Sequence, residues 1–306
     1  MTPQALVTGA TGFVGGKLIP ALEREGVAVR AFARDPSRVT ADVPVVQGDA
    51  VSGEGLDAAL EGVDVAYYLI HSMEPVTGDG LAGRELRSVE NFVAAAARQG
   101  VRRAIYLGGP VPREGLPSRH LSSRRAVEDT IVSGFDEGIA LRASIIIGAR
   151  SRSFRFLVRL VERLRALPLP ACRDFRTRPI DERDVIAILV AAAHRPEATG
   201  GLSLDIAGPD VLTYGDMIER IADHMLVPRT PVRLGFSATA VASRVAAKIA
   251  GEDHALIGPL MEALTGDLLP RDDRAAALFG VRLHSFDSAV EHALREWETV
   301  ERLAAR

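Results

Sequence analysis

The chain has 306 residues, with 37 cationic side chains against 40 carboxylates and a net charge of −3. That balance argues against a general nucleic-acid binder, which needs a basic excess to displace counterions from phosphate. With 47% apolar and 25% charged residues the composition is globular, and the single cysteine, Cys172, leaves no internal disulfide and no thiolate-rich metal site. Only Lys17 and Lys248 are lysines; the other 35 cations are arginines. Chemistry that needs a catalytic lysine therefore has two candidates. The longest apolar run, 185–193, is far short of the ~20 residues of a membrane span. The start, Met1-Thr2-Pro3-Gln4, has no basic n-region and no signal-like apolar stretch. A soluble, cytoplasmic protein is expected.

In chain order the first half alternates strands and helices. Residues 5–7 predict a strand. Residues 13–25 predict a helix, with Val14, Leu18 and Leu22 at helical spacing and Gly26 ending it. Strands follow at 27–33 and 43–47, then a short helix at 56–60. Residues 63–70 form a continuous apolar run, as in a strand buried on both faces. A helix at 81–99, a strand at 103–107, a helix at 119–133 and a strand at 139–147 complete the alternation. This pattern predicts a doubly wound parallel sheet, a Rossmann α/β fold, over residues 1–150. Residues 151–306 read as a smaller, mostly helical part that binds substrate. It holds an amphipathic helix at 153–167, a helix at 181–193 and a strand at 202–207, so that 181–207 returns to the main body. Thr213 is a good N-cap for a helix at 214–225. The pattern is helical from 237, broken at Gly258-Pro259 and Pro270, with a last helix near 286–303.

The strongest motif is Thr8-Gly9-Ala10-Thr11-Gly12-Phe13-Val14-Gly15, between the first strand and the first helix. Gly9 permits a tight turn, Gly12 lets backbone approach a pyrophosphate, and Gly15 lets helix and strand pack closely. The helix N-terminus, with Thr11, Phe13 and Val14 around it, offers free N–H groups and partial positive charge to phosphate. The ends of such strands line the ligand crevice. Ile70 and His71 after the fourth strand and Gly108 after the fifth are therefore candidate cofactor contacts, and Ser72 and Met73 candidate substrate contacts. Residues 74–83 read as a mobile lid or a plain connector. No histidine spacing suggests a metal.

The G-x-x-G-x-x-G spacing resembles the extended and atypical short-chain dehydrogenases/reductases, and in particular their NmrA-like, NAD(P)H-binding branch. Similar stretches run in order over roughly the first 215 residues, including 29–36, 45–49, 66–73, 101–109, 141–148 and 206–215; the last 90 match only in being helical. The resemblance implies that Arg34, after the second strand, holds the 2′-phosphate of NADP(H), which is preferred over NAD(H). A guanidinium fork suits phosphate. Asp35 complicates this, since it could pair with Arg34 or contact a ribose. Asp49 would face the adenine, or else be an ordinary turn aspartate.

The family's Tyr-x-x-x-Lys pair is absent. None of Tyr67, Tyr68, Tyr106 and Tyr214 has a lysine four residues on. The frame survives as His120-Leu121-Ser122-Ser123-Arg124, with His120 at the tyrosine position and Arg124 at the lysine position. The family's catalytic Ser/Thr falls near Gly108-Gly109. His120 is a candidate proton donor, or a polar residue near a helix start. Arg124 is a candidate ribose contact that cannot deprotonate. In 153–167, Arg155, Arg159 and Arg163 form one row and Phe154, Leu157, Val161 and Leu164 another. The basic row reads as a solvated face, or as a partner surface or anionic-substrate entrance; in similar proteins this segment flanks the substrate cleft, and the resemblance makes Phe154 and Leu157 candidate substrate-pocket residues. Asp181 and Asp184 read as caps of the next helix. The expected function is an NADPH-dependent reductase of a small carbonyl, enone, imine or quinone. The alternative is a non-catalytic NADP(H)-binding regulator or scaffold.

Overall fold

A computed structural model of the chain describes residues 2–71, 80–110, 119–164, 166–169, 171–194, 201–233 and 266–303. In order the elements are β1 (Gln4–Thr8), α1 (Phe13–Arg24), β2 (Ala28–Ala33), β3 (Val45–Gln47), α2 (Leu56–Leu60), β4 (Val65–Tyr68), α3 (Gly80–Arg98), β5 (Arg103–Gly108) and α4 (Arg119–Gly134). There follow β6 (Glu137–Ala143), β7 (Ile146–Ile147), α5 (Arg152–Arg163), β8 (Ala166–Leu169), β9 (Arg176–Thr177), β10 (Ile180–Asp181), α6 (Glu182–His194) and β11 (Leu202–Ile206). The last are β12 (Leu212–Thr213), α7 (Tyr214–His224), β13 (Thr230–Arg233), α8 (Arg274–Phe279) and α9 (Phe286–Glu298).

Seven strands form one sheet in the order β11-β6-β5-β4-β1-β2-β3, and every neighbouring pair is parallel. This is the expected Rossmann α/β architecture. Alternate residues of each strand feed opposite faces. Val7, Tyr67, Ile105 and Leu141 pack with α1 and α6 on one side. Leu6, Tyr68, Tyr106 and Ala140 pack with α2, α3 and α4 on the other. Covered on both faces, the strands can be apolar throughout, which explains the unbroken run at 63–70. Because all strands are parallel, their C-terminal ends meet at one edge, and the winding reverses between β1 and β4. That reversal is where open α/β sheets bind ligands.

A second core is built from α5, α7, α9 and β7, with Phe154, Val158, Met217, Ile221, Phe286, Val290 and Trp297 inside it. The helix expected over 153–167 stops at Arg163, with Leu164 already extended; a helix carried on to Pro168 would set the proline ring against the Leu164 carbonyl. Residues 166–169 instead pair with β13, a strand that periodicity did not suggest. The strand expected over 139–147 is two: β6 ends at Ala143, and β7 leaves the sheet to pair with β10. The Thr213 cap is present and reciprocal, accepting from Asp216 N–H while the Asp216 carboxylate accepts from Thr213 N–H. No described helix is long and apolar enough to cross a membrane.

Candidate cofactor-binding site

The glycine-rich turn is shaped by close approach. The Thr8 hydroxyl donates to Tyr67 O at 2.9 Å and accepts from Leu69 N–H at 3.1 Å, which draws the end of β4 against the turn. Gly9 has φ of +66°, and a Cβ there would stand 2.5 Å from Leu69 O. A Cβ on Gly15 would stand 2.4 Å from Gly9 O. Gly12 is the N-cap of α1; no side chain caps this end and no acid lies in its first turn, which holds Phe13, Val14 and Gly15. The positive end of the helix dipole is thus left to a ligand.

At the ends of β1 and β2 lies a cleft of about 270 Å³ lined by Thr11, Arg34, Asp35 and Arg38. Arg38 was not among the expected residues. It reaches the cleft because Pro36–Arg38 form one 3-10 turn, capped by Asp35. Asp35 Oδ1 accepts from the Ser37 hydroxyl at 2.6 Å and from Ser37 N–H at 3.1 Å. These bonds hold the Asp35 carboxyl below its usual range. Asp49 acts as a turn residue: its Oδ1 accepts from Val51 N–H at 2.9 Å, and its backbone bridges to Glu54.

Across the switch point, Ile70 and His71 follow β4, and His71 is exposed. Arg124, in α4, is buried and brings its Nη1 against the His71 ring, 3.2 Å from Nε2 and closer to Nδ1. A guanidinium only donates, so the imidazole accepts. Arg124 Nε is buried with no hydrogen-bond partner among the described residues. An orphaned buried donor at this edge, with the uncapped helix and the glycine cradle opposite, fits a bound dinucleotide. Gly108 ends β5 directly over the Tyr106 ring; a Cβ there would lie 2.7 Å from Tyr106 Cε1.

The tyrosines serve the core. Tyr67 OH donates to Leu189 O at 3.1 Å, Tyr68 OH shares a 2.9 Å bond with Ser88 Oγ, and Tyr106 OH reaches Arg124 O at 3.5 Å. Burial pushes all three phenols up, away from acid–base use. Tyr214 lies in the second core. The Ser123 hydroxyl binds buried Glu85, fixing α4 to α3. The side chain of His120 and residues Ser72, Met73 and 74–79 lie outside the described residues; Gly80 already begins α3.

Phe154 and Leu157 lie inside the second core, under α7 and α9. There the apolar face of α5 packs against the chain's own helices. The basic row is not simply solvated. Arg159 is buried, paired with Glu162 and Glu301, and both it and Arg155 stack over Trp297, at 5.1 and 4.4 Å from the ring centre. Asp181 caps α6 through Arg183 N–H, whereas Asp184 instead holds His284 through its N–H and Nδ1.

Lys17, one turn beyond Phe13, is tied to two acids. Its Nζ donates to Glu182 Oε1 at 2.6 Å and to both Glu296 oxygens at 2.8 and 2.6 Å. Glu182 is almost wholly buried, and burial pushes its carboxyl up to about 7. Neither pairing could be read from spacing, since the partners lie 165 and 279 positions apart.

Residues 9–126 match a family described as NAD(P)H-binding. The chain is 28% identical over 232 residues to the ceramide reductase of Caulobacter vibrioides, covering 74% of this chain and 72% of that protein. It is 24% identical over 229 residues to the mitochondrial NADH dehydrogenase (ubiquinone) 1 alpha subcomplex subunit 9 of Arabidopsis thaliana, covering 72% of this chain and 57% of that protein. The fold matches that of a nucleoside-diphosphate-sugar epimerase from Staphylococcus aureus with a TM-score of 0.76 at 18% identity, over 95% of this chain and 100% of that one.

Proposed function

We propose that this chain is a member of the NAD(P)H-binding, NmrA-like branch of the atypical short-chain dehydrogenases/reductases, a reading supported by the family match over 9–126 and by its relatives, and that it is an NADPH-dependent reductase of a small carbonyl, enone, imine or quinone. The observation that carries the reading is Arg124 at the sheet's C-terminal edge, buried beside His71 with an Nε that has no partner among the described residues. It stands across the switch point from the uncapped start of α1.

In this reading Gly9, Thr11, Gly12, Phe13, Val14 and Gly15 hold the pyrophosphate on the α1 N-terminus. Arg34 and Arg38 hold the 2′-phosphate; with Asp35 engaged by Ser37, the acid that would favour NAD is occupied. Asp49 closes the adenine end through its turn. Arg124 Nε donates to a nicotinamide-ribose oxygen, and Ile70, His71 and Gly108 flank the ring. When bound, the dihydronicotinamide supplies a hydride. The proton for the reduced oxygen or nitrogen comes from His120, one helical turn before Arg124, or from water. A quinone needs the least acid catalysis and best tolerates buried tyrosines. Ser72 and Met73 are the proposed substrate contacts.

The buried tyrosines also support a second reading, a non-catalytic NADP(H)-binding regulator or scaffold. Titration with NADPH and NADH by fluorescence, followed by a turnover screen on carbonyls and quinones, separates the two. Reductase function predicts NADPH oxidation with at least one acceptor class. Tight NADPH binding with no turnover on any of them overturns it in favour of the scaffold.

A further inference from the structure

Glu182 opens α6 with its side chain 3% exposed. Its Oε1 accepts from Lys17, but Oε2 is buried with no hydrogen-bond partner among the described residues. Oε2 lies over the α-carbon of Gly148, in the space a side chain there would need. A Cβ on Gly148 would stand 2.0 Å from Oε2 and 2.7 Å from Phe13 Cζ. The carboxyl, the glycine and the Phe13 ring therefore pack as one contact. Phe13 is the first residue of α1, and the N-terminal end of that helix is the pyrophosphate site in the reading above.

The charged groups around Glu182 are few. From α1 comes Lys17; from α9 come Glu296 and His292, whose Nε2 is 3.6 Å from Glu182 Oε1 and 3.9 Å from Glu296 Oε2. From its own end of α6 come Asp181 and Arg183, paired with each other, and Asp184, bound to His284. Glu182, His292 and Glu296 are spaced to ligate a metal ion, but the Lys17 ammonium already stands among them. One half-buried cation faces two carboxylates, of which Glu182 is buried and Glu296 half-buried. An ionised Glu182 would keep a buried charged oxygen with no partner among the described residues, and protonation removes that buried charge.

We infer that Glu182 is a positioning residue that couples a proton to dinucleotide binding: its neutral carboxyl seats Phe13 in the nucleotide-binding turn, and its ionisation sets a negative charge beside the bound pyrophosphate. The inference rests on the dinucleotide reading. The neutral form binds the anionic cofactor more tightly, and by reciprocity the bound cofactor holds the proton on Glu182. The burial that pushes this carboxyl up to about 7 places the transition near neutral pH.

The test is fluorescence titration with NADPH and with NADH across about pH 6 to 9, where one linked proton changes the dissociation constant by at most about tenfold per pH unit. Wild type is expected to lose affinity for both nucleotides above pH ~7, since both carry the pyrophosphate. Glu182→Gln, neutral at every pH, is expected to flatten the NADH profile and to remove the same component from the NADPH profile. Lys17→Met removes the cation that stabilises the ionised form, so its transition moves to higher pH; this variant decides the matter if Glu182→Gln does not fold. A wild-type slope kept in Glu182→Gln, or a transition unmoved or lowered in Lys17→Met, overturns the inference and leaves dinucleotide binding standing. Binding of neither nucleotide at any pH overturns both.

Discussion

The hydroxyl of Ser37 lies 2.6 Å from Asp35 Oδ1, and the backbone N–H of the same serine donates to the same oxygen. The acid that follows β2 is therefore turned into a cap for the Pro36–Arg38 turn, while Arg34 and Arg38 line the neighbouring cleft. Arg34→Ala should weaken NADPH binding about 10- to 100-fold, the worth of a charge-assisted phosphate contact at roughly 1.5–3 kcal/mol, and affect NADH far less. Ser37→Ala should narrow the preference by removing the hydroxyl bond that helps hold Asp35 in its turn, while the backbone N–H bond remains. Paired titrations with the two nucleotides check both; equal losses for NADPH and NADH in Arg34→Ala would remove the 2′-phosphate assignment.

Arg124 and His120 should separate binding from chemistry. Arg124→Ala should weaken both nucleotides, because the buried Nε donor and the support of His71 are lost together. Lysine should rescue it poorly, since a point charge does not replace a planar fork. His120→Ala should lower turnover by about 10²–10⁴ with nucleotide affinity retained, the usual range for a proton donor. Full turnover in His120→Ala would pass the donor role to water.

Trp297 is 2% exposed, closes the second core, and carries the Arg155 and Arg159 guanidiniums on its ring. Trp297→Ala should cost about 3–5 kcal/mol of unfolding free energy. Urea denaturation measures it. A loss below about 1 kcal/mol would mean that α9 contributes little to that core.

Glu182 also predicts the direction of pH-dependent stability. Its carboxyl is raised by burial from 4.5 to about 7, so the native state holds a proton that the unfolded chain releases earlier. Its contribution is complete below pH ~4.5 and is lost as pH rises through ~7. Denaturation at pH 5 and pH 8 should show a larger fall in wild type than in Glu182→Gln. Equal falls would mean that the carboxyl ionises normally.

The features legible from sequence were local ones. The glycine turn, the alternation of strands and helices, and the Thr213 cap each depend on residues within a few positions of one another. Arg38 escaped because its place depends on a 3-10 turn built by Asp35 and Ser37. The amphipathic pattern of α5 tells which face, with Phe154 and Leu157, is apolar, not that α7 and α9 pack against it. The Lys17–Glu182–Glu296 cluster joins three distant helices, and no spacing rule reaches that far. His71 and Arg124 were both named, but their meeting depends on how α4 packs beside β4 and β5.

The sheet order carries a consequence for how this protein can be divided. β11 lies beside β6, and α6 packs with α1 across one face of the sheet. A chain stopped near residue 150 would leave β6 as an unpaired edge and uncover Ile105, Ile139 and Leu141, an aggregation hazard rather than a module. The nucleotide-binding half is thus completed by a segment made some fifty residues after its apparent end, so autonomous folding and sticky-edge protection arrive only once β11 has been synthesised.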